Sequence, residues 1–508
     1  MNTNNYLKFC SVFLLLLLCF SGPVFSKGKQ PNVVVFLIDD MGWKDLGCYG
    51  AKLYETPNID KLCSEGTQFT NAYTSAPVCA PARASMLSGI HNLKLGMWSA
   101  AHYIPKETNL LPQYLKKEGY ATWHVGKWHM GNEKENTFPE DMGFDVNIGG
   151  FTSYGPGHHF WPYGVTLDEN GKKQFNYRNS VPNLYEGGKE GEYLADRLTD
   201  ESIKLLENRD RSKPFYLNFW HYAVHSVHES KEELRIKYQN KIDSLGTKLE
   251  KNRVDPVTGF HFVTSEAHAI YAGMIQSVDE SVGKVVAKLK EQGEYENTIF
   301  VFYSDNGPLT DRVPCVPLMG GKNSTYEAGV RVPAFITWPG KLPAHEVSEE
   351  PIVIMDVMPT VLDAVGASVS RVKEIDGVSL MPLFKEGEIE ARDFYWYFPA
   401  NRYNWGGRSS AAVLSKTGYK YILFFEGSEP ELYNINEDLA EENNIIKENP
   451  EIAQELHDNL VAYLKKEFHK FPVSRATKVD PNDMYGKNGI GKMSSDSKTI
   501  AKYLGITD

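Results

Sequence analysis

The stretch Asn32–Asp40, NVVVFLIDD, decides the fold. Six apolar residues without polar alternation, closed by two acids, describe a strand buried on both faces, as strands of parallel sheets are. Similar runs recur in YATWHVGKWH (Tyr120–His129), PFYLNFWHYAVH (Pro214–His225), TIFVFYSDNG (Thr298–Gly307) and VPAFITWPG (Val332–Gly340). Between them lie helix-like stretches, among them NIDKLCSEG, ARASMLSGI, LLPQYLKKEG, LADRLTDESIKLLENR and AIYAGMIQSVDESVGKVVAKLKEQG. Strands that alternate with helices predict an α/β fold: a large, mixed but mostly parallel sheet sandwiched by helices. In such sheets ligands sit beyond the carboxyl ends of the strands.

After about residue 385 the texture changes to short aromatic strands, DFYWYF, AAVLSKTGYKYILFF and ELYNI, and one helix, IAQELHDNLVAYLKKEFHKF. We read a catalytic domain over residues 27–385, a smaller α+β subdomain over 386–470 and a polar tail over 471–508. Residues 1–26 have the form of a signal peptide, because an apolar run too short to span a membrane ends near Ser26. The protein is therefore expected to be exported, periplasmic or secreted, with no transmembrane segment. Leu18 precedes Cys19 where a lipid-anchoring signal carries a small residue, which argues against a lipoprotein.

Loss of the leader leaves Cys48, Cys63, Cys79 and Cys315. Four thiols in so long a chain make no disulfide framework, although Cys48 and Cys63 could form one bridge. The net charge of −11 repels nucleic acid at long range, so an anionic substrate would need a local cationic cluster.

The strand ends carry the candidate chemistry. Asp39 and Asp40 follow the first strand, and Asp305 and Asn306 follow a later one. Four oxygen donors at one sheet edge suit a hard divalent cation, Ca²⁺ before Mg²⁺ if few waters remain, whereas either pair alone is equally turn or cap chemistry. Lys127 and His129 lie two apart at a strand end, which would send both side chains from one face to hold an anion and move a proton. His225 sits near another strand end, and Lys322 lies in the Gly-rich LMGGKNSTYEAGVRVP. In SAPVCAPARASMLSG (Ser75–Gly89), Pro81 predicts a helix start that places Cys79 beside the positive end of a helix dipole. A thiolate phosphatase loop would need five residues between Cys and Arg, but only three separate Cys79 from Arg83.

These residues resemble the type I sulfatases of the alkaline phosphatase superfamily. CAPAR matches that family's C-x-P-x-R signature, whose cysteine is oxidised to formylglycine (3-oxoalanine), and SGIHNLKLG continues it. The likeness runs in the family's order through PNVVVFLIDDMGWKDLGCYG, TPNIDKL, GYATWHVGKWHMG, YSDNG, GGKNSTYEAGVRVP, MDVMPTVLDAVG, DGVSLMPL and ELYNINEDLAEENN. It implies an alkaline phosphatase-like fold and one Ca²⁺ held by Asp39, Asp40, Asp305, Asn306 and an oxygen of modified Cys79. Arg83 would support the formylglycine, Lys127 and His129 would hold its hydrate and the sulfate, and His225 and Lys322 would contact the ester from the leaving-group side. One hydroxyl of the hydrate would attack sulfur with Asp305 as the nearby base, and His225 would protonate the departing alkoxide. The second hydroxyl, deprotonated by His129, would expel sulfate by re-forming the aldehyde. A formylglycine-generating or anaerobic sulfatase-maturating enzyme is then an implied partner.

The sequence departs from the family's usual pattern at Ala82, in AVH before the proposed acid and in EAG after Lys322. The segment GPGHHFWPYG (Gly155–Gly164) suits stacking on sugar rings or a packed surface loop equally. An exported chain of this kind resembles bacterial carbohydrate sulfatases, with ulvan, galactans and glycosaminoglycans as open substrates. Two rival readings stand: a phosphodiester or phosphonate hydrolase of the same superfamily, and a non-catalytic secreted glycan-binding protein.

Overall fold

The computed structural model describes residues 29–468, apart from 177–178, 247–249, 256–258, 370–373, 400–406 and 426. The signal peptide and the polar tail expected from sequence lie outside the described residues. The central sheet contains eight strands: β1 (Asn32–Ile38), β2 (Thr67–Phe69), β3 (Ala121–Gly126), β4 (Val146–Ile148), β5 (Phe215–Trp220), β6 (Thr298–Ser304), β7 (Ala334–Thr337) and β8 (Glu346–Ser348). Their order is β8-β2-β7-β6-β1-β5-β3-β4. Strands β6, β1, β5, β3 and β4 form a parallel block, and β7 pairs antiparallel with both of its neighbours.

Two hydrophobic cores explain the unbroken apolar run of β1. Val34, Phe36 and Ile38 enter one core with the helices Leu194–Asn208 and Ser265–Glu291. Val33, Val35 and Leu37 enter the other with Cys79–Ser88, Leu111–Lys117 and Val357–Ala364. Because successive side chains on a strand point to opposite faces, a strand with helices on both sides must be apolar at every position.

A second sheet of four antiparallel strands, β9 (Phe394–Phe398), β10 (Ser410–Leu414), β11 (Tyr419–Phe424) and β12 (Glu431–Asn434), follows in chain order. The helix Pro450–Phe468 packs on one face through Leu456, Leu460 and Leu464. The other face meets Tyr73, Tyr326 and Val330 of the main body. No helix among the described residues is long and apolar enough to cross a membrane.

Two local expectations differ from the structure, and one open point is answered by it. β3 ends at Gly126, so Lys127 and His129 lie in the following loop and their approach to the site does not come from strand alternation. The helix expected at Pro81 begins at Cys79 itself, with extended Val78 before it. The bridge left open between Cys48 and Cys63 is not formed: both are free thiols, and their side chains lie within hydrogen-bond reach of each other.

Candidate active site

The parallel block delivers its loops to one edge, and the candidate residues meet there. Asp39 and Asp40 follow β1, Lys127 follows β3, His225 follows β5, and Asp305 and Asn306 follow β6. Cys79 opens its helix from the opposite core and is 1% exposed. A short helix needs no capping side chain to make this position special: Cys79 already stands where backbone N–H groups point outward.

Arg83 organises the acids. Its Nε donates to Asp305 Oδ2 at 2.8 Å, its Nη2 lies 2.7 Å from the same oxygen, and its Nη1 donates to the Lys127 carbonyl at 3.0 Å. Asp305 Oδ1 accepts from the Asp40 backbone N–H at 3.1 Å. Lys127 Nζ donates to Asp39 Oδ2 at 2.5 Å, and Lys322 Nζ donates to both oxygens of Asp40 at 2.6 and 2.7 Å. Lys322 is carried in by a loop pinned through its own N–H to the Pro308 carbonyl and through the Asn323 N–H to the Pro77 carbonyl. All six cationic and carboxylate side chains are buried. Such groups must neutralise one another, because an isolated charge there would carry a large desolvation cost.

The titration of the cluster follows from this pairing. Burial works to raise Asp40, but the paired Lys322 ammonium holds its carboxyl below the ordinary range. Burial raises Asp305 despite Arg83. Burial, reinforced by Lys322 and Lys127, pushes His225 well below its usual value, and burial with Lys127 and Arg83 does the same to His129. Both imidazoles are neutral in this state. Burial also raises the Cys79 thiol against the pull of Lys127 and Lys322. A thiol so placed is a poor thiolate nucleophile.

The donor set fits a divalent cation. Asp39, Asp40, Cys79 and His225 offer ligand atoms within 4.8 Å of one another. Asn306 joins them through the bond from its Nδ2 to Asp40 Oδ1 at 2.7 Å. Asp39 Oδ1 and Asn306 Oδ1 are buried acceptors with no hydrogen-bond donor, an arrangement whose cost a cation would remove.

The site opens into a cavity of about 510 Å³ lined at its inner end by Cys79, His129, His225 and Lys322. Sequence reasoning missed its other walls: Tyr154, whose ring centroid lies 4.7 Å from that of His129, and the Leu309, Asp311 and Arg312 loop after β6. For the Leu309–Arg312 loop, its position directly after YSDNG is the available signal. The aromatic segment Gly155–Gly164 does not line the cavity. His159 and Tyr163 are buried and Trp161 Nε1 donates to the Tyr185 carbonyl, whereas Gly155 lies against His225, where a Cβ would sit 2.7 Å from Nδ1.

Buried cations interleaved with carboxylates around a cysteine at the carboxyl edge of an α/β sheet define a hydrolase for anionic esters. The sulfatase family model matches residues 31–367, and that of the N-sulphoglucosamine sulphohydrolase C-terminal region matches residues 321–467. The chain belongs to the sulfatase family and is a sulfuric ester hydrolase. It is 32% identical to N-acetylgalactosamine-6-sulfatase of Mus musculus over 76% of this chain and 72% of that protein. It is 27% identical to a sulfatase of Formosa agariphila over 86% of this chain and 89% of that protein. The structure of Ps i-CgsB in complex with k-i-k-neocarrahexaose superposes with a TM-score of 0.71 at 27% identity, covering 87% of this chain and 94% of that one.

Proposed function

We propose that the protein is an exported enzyme that removes sulfate from a sulfated oligosaccharide or polysaccharide, with Cys79 as formylglycine and Ca²⁺ held by Asp39, Asp40, Asp305 and Asn306. The observation that carries this reading is Cys79 itself. It is buried at the inner end of the cavity among Lys127, Lys322, Asp39 and Asp305, with a thiol that burial disfavours as a thiolate. That setting favours a position used after conversion to another nucleophile, installed by a formylglycine-generating or anaerobic maturating enzyme. The names of the relatives, an N-acetylgalactosamine-6-sulfatase and a protein bound to neocarrahexaose, favour a galactan or a glycosaminoglycan as substrate.

The formylglycine and Ca²⁺ together would supply an activated hydroxyl nucleophile and positive charge for the sulfate oxygens. This chain's residues do the rest. Arg83 fixes Asp305 and the Lys127 backbone, so the acids keep one geometry through turnover. Lys127, Lys322 and His129 present donors to the sulfate. His225 Nε2 lies 3.7 Å from Asp40 Oδ2 and faces the cavity. Burial first, and then Lys322 and Lys127, lower its proton affinity in the free state. The negative charge of a bound sulfate favours the protonated imidazole, the form that can deliver a proton to the leaving alkoxide.

The test is the mass of the peptide around Cys79, from protein made with a maturation system, together with sulfate release from sulfated galactan and glycosaminoglycan oligosaccharides. Conversion of thiol to aldehyde lowers the mass by about 18 Da. An unmodified thiol with no sulfate release from any of these sugars refutes the proposal.

A further inference from the structure

The cavity is larger than a sulfate group requires. Its volume of about 510 Å³ falls within the range of about 300–1,000 Å³ that encloses drug-sized ligands, so it accommodates sugar beyond the reacting ester. At its wall stand Asp311 and Arg312, two residues that the cleavage chemistry does not use.

Their geometry suits recognition. Arg312 Nε lies 3.4 Å from Asp311 Oδ2, and the Arg312 side chain is 57% exposed. Among the described residues Asp311 is the ion-pair partner of that guanidinium, so the Nε edge is engaged and the two Nη groups remain to donate. Asp311 Oδ1 is buried with no hydrogen-bond donor, an acceptor suited to a sugar hydroxyl. The positive charge of Arg312 also reaches His228, on the His225 side of the cavity.

The loop that carries the pair is rigid for a reason. Fully buried Asn252, in the hairpin formed by Glu250–Asp255 and Gly259–Val263, donates to the Thr310 carbonyl at 2.8 Å and the Val313 carbonyl at 2.5 Å. It accepts from the Cys315 N–H at 2.7 Å. His261 Nδ1 lies 2.8 Å from Thr310 Oγ1. Three hydrogen bonds from one side chain hold the backbone on both sides of Arg312, and a guanidinium on a fixed backbone loses less freedom on binding than one on a loose loop.

We propose that Arg312, oriented by Asp311, is a specificity residue that pairs with a second acidic oxyanion on the same glycan, a sulfate ester or a carboxylate near the ester to be cleaved. This rests on the proposed glycan substrate. A planar guanidinium with two free donors matches the oxygens of either group. In a chain of net charge −11 it is also a local attraction for a highly charged sugar.

The test uses the unmatured chain with the Cys79 thiol, in Ca²⁺-containing buffer, so that binding is read without turnover. Calorimetry compares three disaccharides: a galactose 6-sulfate with a neutral neighbour, the same sugar with a sulfated neighbour, and the same sugar with a uronate neighbour. The expected result is tighter binding of at least one doubly acidic sugar by about tenfold, a preference that falls to about twofold or less in Arg312→Gln and weakens with salt. Asp311→Asn, which loosens the guanidinium, gives an intermediate preference. The sulfated and uronate arms identify which oxyanion is read. Equal binding of all three sugars, or a preference that survives Arg312→Gln, overturns the proposal. Sulfate release from the singly sulfated disaccharide by the matured enzyme tests the glycan sulfatase reading separately.

Discussion

Lys420 is a lysine with no exposure at all, placed on β11 of the C-terminal sheet and pointed at the main body. Its Nζ donates to Glu327 Oε1 at 2.8 Å and lies 2.9 Å from Glu441 Oε1. Glu327 Oε2 accepts from Arg331 Nε at 2.6 Å and from the Tyr73 hydroxyl at 3.1 Å. Glu441 Oε2 accepts from the Glu327 N–H at 2.7 Å, at the start of the short helix that follows the Lys322 loop. The C-terminal sheet thereby holds the segment that delivers a cation to the active site.

Replacement of Lys420 by Met should be costly. Burial alone would raise Glu327, but Lys420 first and Arg331 second bring it from the ordinary 4.5 down to about 2. At about 1.4 kcal/mol per tenfold change in proton affinity, that displacement corresponds to about 3 kcal/mol, shared between the two cations. Removing one partner of a buried pair costs about 3–5 kcal/mol in other proteins, so Lys420→Met should lose about 2–4 kcal/mol at pH 7. The sign with pH is fixed. Glu327 is depressed, so its stabilisation is complete above pH 4.5 and is lost as pH falls toward 2, and the deficit of the variant shrinks over the same window. Glu441 is raised by burial to about 8, so its own contribution is greatest below pH 4.5 and is given up as pH rises through 8. Without Lys420 it holds its proton to higher pH, and the deficit widens above 8. Urea unfolding followed by tryptophan fluorescence suits the measurement, because Trp396 lies 5.7 Å from Lys420 Nζ. A cycle with Glu327→Gln should give a coupling of about 2 kcal/mol. Additive losses, or a Lys420→Met deficit that is flat from pH 3 to pH 9, would refute the reasoning.

Cys79→Ala should abolish sulfate release while the unfolding midpoint changes little, since one deletion in a site seldom unfolds a large domain; activity near that of the parent in sulfate-release assays would sink the nucleophile assignment. His225→Ala should slow alkyl sulfates more than aryl sulfates, whose phenolate leaves without a proton, and equal losses in kcat on both would contradict its role as acid. Gly126 has φ of 102° and a Cβ there would lie 1.8 Å from the Trp220 carbonyl oxygen, so Gly126→Ala should cost about 2–4 kcal/mol in chemical unfolding and reduce kcat by moving Lys127; a parental midpoint would show that the β3 end yields freely.

What could be read from the sequence was what local pattern dictates. The all-apolar run of β1 gave away helices on both faces, and the acids after β1 and β6 then had to share an edge, because parallel strands put all their carboxyl ends on one side. Cys79, His225 and Lys322 stood out by local position, but their roles and that of Arg83 came from the resemblance to a family, since nothing in their spacing says that Arg83 will reach Asp305, 222 positions away. The misjudged points were contests between local signals and tertiary contacts. Lys127 and His129 read as the end of a strand with both side chains on one face, but the strand stops at Gly126 and His129 takes a φ of 65°, held by its N–H bond to the Phe151 carbonyl. The aromatic segment Gly155–Gly164, by composition equally a sugar platform or a packed loop, is the packed loop, with His159 and Tyr163 buried and Gly155 against His225. Arg312 was passed over for the opposite reason: an arginine in a loop is ordinarily solvated, and its place at the cavity comes from Asn252, a side chain on a hairpin about sixty residues earlier. The catalytic centre is thus written in motifs because every sulfate ester makes the same demands on it. The outer wall of the cavity is written in contacts between distant segments, and reading it required the fold.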